Sequence, residues 1–140
     1  SWERVLSGPG LVNIYRFLLT TGVRQPQGLA APLEADDPGA AISALALSGA
    51  DPLSVLALDM FTAIMGAQAG NLALTFMATG GVYLGGGIPL KILPKLRDGT
   101  FIRAFRDKGR LSELMEEIPV YVITNGQAPI LGAAICALSQ

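Results

Sequence analysis

The stretch that decides the fold is Gly80-Gly81-Val82-Tyr83-Leu84-Gly85-Gly86-Gly87-Ile88. Three apolar residues stand between two groups of glycines, and a helical pattern begins directly afterwards with Pro89. This order predicts a short buried strand, a glycine turn and the start of a helix. Glycines at a strand end permit positive φ angles and close approach of a ligand to the backbone. The free N–H groups of a helix start attract anions, so the stretch suits a nucleotide.

The glycine pattern by itself leaves two interpretations open. Its spacing is not the dinucleotide fingerprint G-x-G-x-x-G, and the chain has no P-loop Gly-Lys-Ser or Gly-Lys-Thr sequence. Glycines after a strand also allow a helix to pack tightly against a sheet without any ligand. The stretch is therefore either a nucleotide site or a packing turn.

The composition describes one apolar domain. The chain has 140 residues, of which 51% are hydrophobic and 15% are charged, whereas about a quarter of residues are charged in a typical soluble domain. Either a large share of the chain is buried, or part of its surface meets another domain or subunit. The net charge of −1 gives no overall attraction to nucleic acid or to an anionic membrane.

The chain has no histidine and a single cysteine, which excludes several kinds of site within it. A Ser-His-Asp triad, a Cys-His dyad, a histidine metal site, an intrachain disulfide and a cysteine zinc site all need residues that are absent. Cys136 lies in an apolar helical pattern, so we expect a buried, unreactive thiol there.

Capping residues predict where the long helices begin. Ser7, Asp37 and Asp51 each stand one or two residues before a proline that suits the first turn of a helix. The helix after Asp51 is long and apolar, and it contains Gly66 and Gly70 four positions apart. These glycines either let another backbone approach closely or kink the helix.

The remaining segments predict a loop, a second strand and a final helix. Residues 23–37 contain prolines, a glycine and several acidic residues, which is typical of a surface loop. Residues 118–123 form a β-branched apolar run and predict a second buried strand. Residues 128–139 predict an apolar helix. Two short strands among helices indicate an α/β layered domain, and so few strands suggest that part of the sheet is missing.

Two stretches have an unusual charge content. Residues 60–90 carry no charge, and this is longer than the roughly 20 residues that span a bilayer. Polar residues and glycines interrupt the stretch, which favours a buried helix and strand in series. Residues 91–110 hold seven basic and two acidic residues, which is compatible with a phosphate or nucleic-acid patch. Apolar residues recur between these charges at helical intervals and favour a solvated helical face.

Taken together, the segments resemble the C-terminal portion of bacterial-type glucokinases, in the hexokinase and actin-like ATPase superfamily. The order and spacing of several short motifs carry the resemblance over nearly the whole chain. These motifs are Glu3-Arg4-Val5-Leu6-Ser7-Gly8-Pro9-Gly10-Leu11-Val12-Asn13, Gly70-Asn71-Leu72-Ala73-Leu74, Gly80-Gly81-Val82, Gly86-Gly87-Ile88, Asp107-Lys108-Gly109-Arg110 and Ile118-Pro119-Val120-Tyr121.

The resemblance implies a fold, a reaction and a set of site residues. The fold is a helix-rich α/β, ribonuclease-H-like (actin-like ATPase) C-terminal domain over residues 1–140, incomplete relative to the two-domain family fold. The reaction transfers the γ-phosphoryl group of ATP, with Mg²⁺ as cofactor, to the 6-hydroxyl of glucose. Glu3 falls at the family's glucose-binding glutamate, and the adenosine motif falls on Gly80, Gly81, Gly85, Gly86 and Gly87. Family members are often cytoplasmic homodimers that bind neither nucleic acid nor membrane.

The resemblance also implies that parts of the active site are missing. The family's catalytic aspartate and its two phosphate loops have no counterpart in this chain, which contains no catalytic residue and no metal ligand under this interpretation. We therefore expect a C-terminal fragment that is inactive alone, with its final helix as the segment that returns to the other domain. The alternative is a non-catalytic nucleotide- or sugar-binding or oligomerisation module of the same fold.

Overall fold

The structure is a computed structural model that describes residues 1–22 and 31–138. Short 3-10 turns lie at Trp2–Arg4, Pro32–Glu34 and Gly109–Leu111, and the regular elements follow in chain order. They are α1 (Gly8–Thr20), α2 (Pro38–Ser48), α3 (Pro52–Phe76), β1 (Val82–Leu84), α4 (Gly87–Lys91), α5 (Leu93–Leu96), α6 (Thr100–Arg106), α7 (Ser112–Glu117), β2 (Val120–Val122) and α8 (Ala128–Leu138). Of the loop predicted over 23–37, residues 23–30 lie outside the described residues.

The three predicted helix caps are confirmed. The side chains of Ser7 and Asp37 accept hydrogen bonds from the backbone N–H groups of Gly10 and Ala40, each at 3.0 Å. Asp51 accepts two such bonds at the start of α3, both at 3.1 Å. Each bond satisfies an N–H group that has no partner within its helix, so these side chains fix where α1, α2 and α3 begin.

Asp51 also joins two helices in the core, which its sequence position did not predict. The residue is fully buried. Its Oδ2 atom accepts from the Tyr15 hydroxyl of α1 at 3.2 Å and from the Ser54 hydroxyl at 2.5 Å. A buried carboxylate is tolerated when donors surround it, as they do here. Asp51 therefore holds α1 against the start of α3.

Helix α3 is the central element because both hydrophobic clusters are built on it. Its first half packs with α1 and α2 in one cluster, through Leu53, Leu58 and Phe61. Its second half packs with α6 and α7 in the other cluster, through Ala69 and Ala73. By length and composition, α3 is also the one helix among the described residues that could cross a membrane, and 50% of its apolar window is buried. It ends before β1, which confirms the predicted helix and strand in series.

Two glycines of α3 bring its backbone against α6. A Cβ atom added at Gly66 would lie 2.3 Å from the carbonyl oxygen of Phe101, and one added at Gly70 would lie 2.4 Å from that of Phe105. Atoms cannot approach so closely, so only glycine fits at these two positions. The predicted close approach is confirmed, and α3 continues as one helix through both glycines.

The two predicted strands pair in parallel, but the prediction that they are buried is wrong. Val82 pairs with Val120, Tyr83 with Tyr121 and Leu84 with Val122. Successive side chains alternate between the two faces, so the aliphatic residues face the second cluster and the tyrosines face away from it. The tyrosine rings stack at 5.0 Å and remain 63% and 47% exposed. In the part of the chain that is described, no layer covers the tyrosine face.

Helix α8 forms as predicted, but the expected burial of Cys136 is wrong. None of its side chains is buried, and the Cys136 thiol is exposed. Its aliphatic residues are also exposed, including Ile130 at 73% and Leu138 at 88%. The apolar pattern predicted a helix with a buried face, yet none of the described elements encloses that face.

Replacing Gly66 by alanine is expected to destabilise the fold. The new methyl group would meet the Phe101 carbonyl, and such overpacking costs about 1–3 kcal/mol of unfolding free energy. Gly132 in α8 is a matched control because an added Cβ there has no neighbour within 4 Å. Gly132→Ala should leave stability unchanged or raise it by up to about 1 kcal/mol through helix propensity. Urea unfolding followed by circular dichroism tests both, and equal stability of the two variants would contradict the close approach.

Candidate functional site

The five glycines of the predicted adenosine site lie at the two opposite ends of β1. Gly80 and Gly81 precede the strand, and Gly85, Gly86 and Gly87 follow it. Gly81 has a φ of +117°, and a Cβ atom added there would lie 3.0 Å from the Tyr121 ring and 3.1 Å from the Pro119 carbonyl oxygen. Of Gly80 and Gly81, the second is therefore a tight packing position. The sequence did not distinguish this pair from the three glycines that follow β1.

The second group lies where a ligand would be expected in a parallel sheet. Ligands of such sheets bind beyond the carboxyl ends of the strands, and Gly85–Gly87 follow the carboxyl end of β1. A Cβ atom added at Gly86 or Gly87 has no neighbour within 4 Å, and Gly86 has a φ of +101°. The three glycines line an open groove, here called the glycine groove, together with Leu6, Phe61, Met65, Tyr83, Leu84, Ile88 and Pro89.

The predicted helix start after the glycines is confirmed, and the helix there is short. Helix α4 has five residues and α5 has four, separated at Ile92. Pro94 has no N–H group to continue the first helix, which explains the break. One turn of helix contributes little dipole, so the open glycine backbone is the main feature that this edge offers to a ligand.

Glu3 lies in an exposed 3-10 turn that is fastened to α1. Its carbonyl oxygen accepts from the Ser7 hydroxyl at 2.7 Å. The backbone carbonyl oxygen of the next residue, Arg4, accepts a hydrogen bond from the Asn13 side-chain amide at 3.0 Å. Leu6, three residues after Glu3, lines the glycine groove. The two segments that the resemblance assigned to substrates are therefore neighbours in the fold.

A second cavity, which the sequence did not predict, lies beside the glycine groove. It has a volume of about 70 Å³ and is bounded by the first turns of α1 and α2, the middle of α3, and α4. We call it the cap cavity because the capping residues Ser7 and Asp37 are among the residues that line it. The other side chains that line it include Leu11, Ser43, Leu58, Phe61, Ile88, Lys91 and Ile92. The residues come from four separate elements, so no local motif could have revealed it.

The basic stretch over residues 91–110 forms an amphipathic surface. Phe101 and Phe105 are buried, whereas Arg97, Arg103 and Arg106 point to solvent. Two of the lysines serve the fold itself. Lys108 donates to the carbonyl oxygen of Ala67 in α3 at 2.9 Å, and Lys95 forms ion pairs with Asp59 and Asp98. This arrangement matches the predicted solvated helical face.

The Lys95 ion pairs shift the pKa values of two groups. Burial acts to lower the pKa of Lys95, but the hydrogen bonds to Asp59 and Asp98 outweigh it and raise the pKa above 10.5. Burial likewise acts to raise the pKa of Asp98. The bonds from Lys95 and from the Thr100 backbone outweigh it, and the pKa of Asp98 lies below its ordinary value of 3.8. Among the described residues, no group of three or more acidic, histidine or cysteine side chains could hold a metal ion.

Comparison with known proteins identifies the family. The family model described as glucokinase matches residues 1–140. The chain belongs to the glucokinase family. A glucokinase from Nostoc sp. is 44% identical over 149 residues, covering 98% of this chain and 44% of the Nostoc protein. A glucokinase from Psychromonas ingrahamii is 47% identical over 133 residues, covering 95% of this chain and 39% of that protein.

A solved glucokinase structure matches the fold. The crystal structure of glucokinase from an Antarctic psychrotroph superposes with a TM-score of 0.77 at 33% identity, covering 100% of this chain and 41% of that one. The match confirms the predicted fold class, a helix-rich and incomplete α/β domain of the actin-like ATPase superfamily. The chain spans less than half the length of the glucokinase relatives it matches, as expected for a C-terminal portion.

The pKa of Asp98 predicts a pH-dependent contribution to stability. Because this pKa is lower in the folded chain, the stabilisation is complete above pH 3.8 and disappears as the pH falls through the folded value. Asp98→Asn should lower the unfolding free energy at pH 7 by at most about 1 kcal/mol, since the carboxylate is partly exposed. In urea titrations, the difference from wild type should shrink as the pH is lowered from 7 to below 3.8.

Asp107→Asn is the matched control for this measurement. Asp107 is exposed and takes part in neither of the ion pairs among the described residues. Its replacement should leave the unfolding free energy unchanged both at pH 7 and at a pH below 3.8. If Asp98→Asn lowered the unfolding free energy by the same amount at pH 7 and at acid pH, the stabilising role of the Asp98 carboxylate would be contradicted.

Proposed function

We propose that this chain is the C-terminal part of an ATP-dependent glucokinase, which transfers the γ-phosphoryl group of ATP to the 6-hydroxyl of glucose. The observation that carries the proposal is the glucokinase family match over residues 1–140. The same proposal treats these residues as one domain of a longer cytoplasmic protein. It is supported by the open glycine groove at the carboxyl end of β1, which suits a nucleotide.

Only three of the five predicted glycines line the glycine groove, and we propose that the nucleotide contacts these three. In the proposal, ATP passes over Gly85, Gly86 and Gly87, where the absence of side chains leaves the backbone open. Gly80 and Gly81, at the amino end of β1, shape the strand instead. Mg²⁺ in kinase sites is held largely through the substrate's phosphates, and we assign no ligand for it in this chain.

Glu3 is the proposed glucose ligand. A carboxylate accepts hydrogen bonds from sugar hydroxyls and is acceptor-only when ionised. The hydrogen bonds that Ser7 and Asn13 make to the backbone of residues 3 and 4 hold its turn against α1. The carboxylate is exposed, as a group that meets a substrate must be.

The chain alone is proposed to be inactive. Phosphoryl transfer to a hydroxyl needs a positioned base and groups that hold the phosphates. Four of the aspartates serve the fold, because Asp37 and Asp51 cap helices, and Asp59 and Asp98 pair with Lys95. In the proposal the base lies elsewhere in the longer protein. The exposed apolar residues of α8 then suit contact with the other domain. In the same proposal, the complete protein is a homodimer.

A second candidate function is a non-catalytic nucleotide- or sugar-binding module. The observation that favours it is the absence of a family-type catalytic aspartate from these residues. Activity of the complete protein distinguishes the two candidates, because a binding module would not phosphorylate any hexose.

A coupled glucose-phosphorylation assay tests the proposal. The complete protein should convert glucose with ATP, and the 140-residue chain should not. Within the complete protein, Glu3→Gln should weaken glucose binding by about 1.5–3 kcal/mol, because a hydrogen bond to a charged group is lost. This corresponds to a glucose KM raised by about tenfold or more.

Glu34→Gln is the control for this variant, since Glu34 also lies exposed in a 3-10 turn but is remote from the glycine groove in the chain. Its glucose KM should match that of wild type. An unchanged glucose KM in Glu3→Gln would remove Glu3 from the site, and inactivity of the complete protein towards every hexose would favour the binding module.

The two glycine groups can be separated by matched variants. Gly80 and Gly87 both lack a positive φ, and an added Cβ atom at either has no neighbour within 4 Å. A Cβ atom therefore fits at both positions, whereas any side chain at position 86 would be strained because its φ is +101°. Gly87→Val should raise the ATP KM by about tenfold or more, because its side chain occupies the groove. Gly80→Val should leave it unchanged, and equal effects of the two would contradict the assignment.

A further inference from the structure

The segment that follows Gly86 forms one wall of the glycine groove and is bounded by two glycines with positive φ. It covers residues 87–98 and is here called the strap. Gly86, before it, has a φ of +101°, and Gly99, after it, has a φ of +94°. The first three residues of the strap line the glycine groove. Glycine is freer about its backbone bonds than other residues, so no side chain stiffens either end of the strap.

The strap is joined as one unit although its helix is broken at Ile92. The N–H group of Ile92 donates to the Ile88 carbonyl oxygen at 3.1 Å, and the N–H group of Leu96 donates to the Ile92 carbonyl oxygen at the same distance. These two bonds connect α4 to α5 across the break. A displacement near Leu96 is therefore passed on to Ile88, beside the glycines.

Apolar contacts hold the strap on the surface of the protein but do not fix its angle. Ile92 is 1% exposed and belongs to the first hydrophobic cluster, and the partly buried Ile88 and Leu96 pack against the same cluster. Apolar contacts are not directional. They keep the middle of the strap in place and leave its orientation about Ile92 to a more directional contact.

Lys95 provides a directional contact of this kind. Its side chain is only 16% exposed, and its ammonium group pairs with Asp59 of α3 and with Asp98 of the strap itself. The Oδ1 atom of Asp59 that meets Lys95 is buried and accepts no other bond from the described residues. Solvent and salt screen a partly buried pair less than a surface pair. Of the two pairs, only the one with Asp59 connects the strap to another element.

We propose that Lys95 is a positioning residue for the nucleotide, because its bond to Asp59 sets the angle of the strap and so the place of the strap's first three residues in the glycine groove. This inference rests on the proposed function, in which the nucleotide is ATP. Lys95 is not among the residues that line the groove, so it acts through the strap. A small displacement of groups that contact a substrate is enough to change how the substrate is held.

Asp98 provides a matched control for Asp59, because a purely structural pair would behave differently. Asp98 binds the same lysine, and its Oδ1 atom also accepts from the Thr100 N–H group at 2.7 Å, at the start of α6. Loss of the Asp98 carboxylate therefore removes more hydrogen bonds than loss of Asp59, yet it leaves the connection between the strap and α3 intact. An effect on stability should be at least as large for Asp98, and an effect on positioning should be found for Asp59 alone.

Alanine at each aspartate tests the proposal in the complete protein. Asp59→Ala should raise the ATP KM by about threefold to fivefold, the size of effect that ion pairs of this exposure produce, and leave the glucose KM unchanged. Asp98→Ala should keep the wild-type ATP KM while it melts at a lower temperature. A wild-type ATP KM in Asp59→Ala, or an equal rise in both variants, would overturn the inference.

Substitutions of Lys95 give a second test that depends on charge. Lys95→Arg keeps the charge and should retain an ATP KM near that of wild type, whereas Lys95→Met should raise it at least as much as Asp59→Ala does. Adding Asp59→Ala to Lys95→Met should cause no further rise, because the pair is already lost. Equal ATP KM values in Lys95→Arg and Lys95→Met would show that the charge has no role and would overturn the inference.

Hydrogen exchange separates this inference from the proposed function. In the complete protein, the Ile92 and Leu96 amides should exchange faster in Asp59→Ala than in wild type and at the wild-type rate in Asp98→Ala. Unchanged exchange in Asp59→Ala would overturn the inference whatever the kinetics. If no hexose is phosphorylated, the proposed function fails, and calorimetric titration with ATP replaces the KM. Weaker binding by Asp59→Ala than by Asp98→Ala would then still support the inference, and equal binding, or none by wild type, would overturn it.

Discussion

The backbone contact between α3 and α6 is the constraint on which the rest of the structure depends. Gly66 and Gly70 let the Phe101 and Phe105 carbonyls approach to distances that no side chain permits. Phe101 and Phe105 thereby enter the second cluster, which supports the aliphatic face of the two-stranded sheet. Lys108 strengthens the same crossing through its bond to the Ala67 carbonyl. The position of β1, and so of the glycines that follow it, is a consequence of this contact.

The other half of α3 positions the cap cavity. Asp51 caps the helix and holds Tyr15 of α1, so α1 and α3 begin in a fixed relation to each other. Phe61, five residues before Gly66, lines both the cap cavity and the glycine groove. The lining of the cavity and of the groove therefore comes from separate segments within residues 6–92, arranged around one helix. This explains why its residues are far apart in sequence.

Much of the fold could be predicted from local chemistry. The exposure of individual side chains and the positions of the cavities could not. Caps such as Ser7 and Asp51, and the close approach at Gly66, follow from interactions within a few residues or from backbone geometry. The exposure of Tyr83 and Cys136 depends on which elements lie opposite them, and an apolar pattern records only a tendency to be covered. The cap cavity combines residues from four elements, so spacing along the chain contains no trace of it. The two roles of the glycines became separable only once the direction of β1 was known.

Helix α3 also connects the two ends of this unit. Its 25 residues span about 37 Å at 1.5 Å per residue, from the capped start beside α1 to the edge of the sheet. Sliding against α6 is blocked at two glycines, and the other end is held by a buried carboxylate. The cap cavity, the glycine groove and the cluster beneath the sheet therefore all pack against this one helix. A rotation of α3 would change the position of all three.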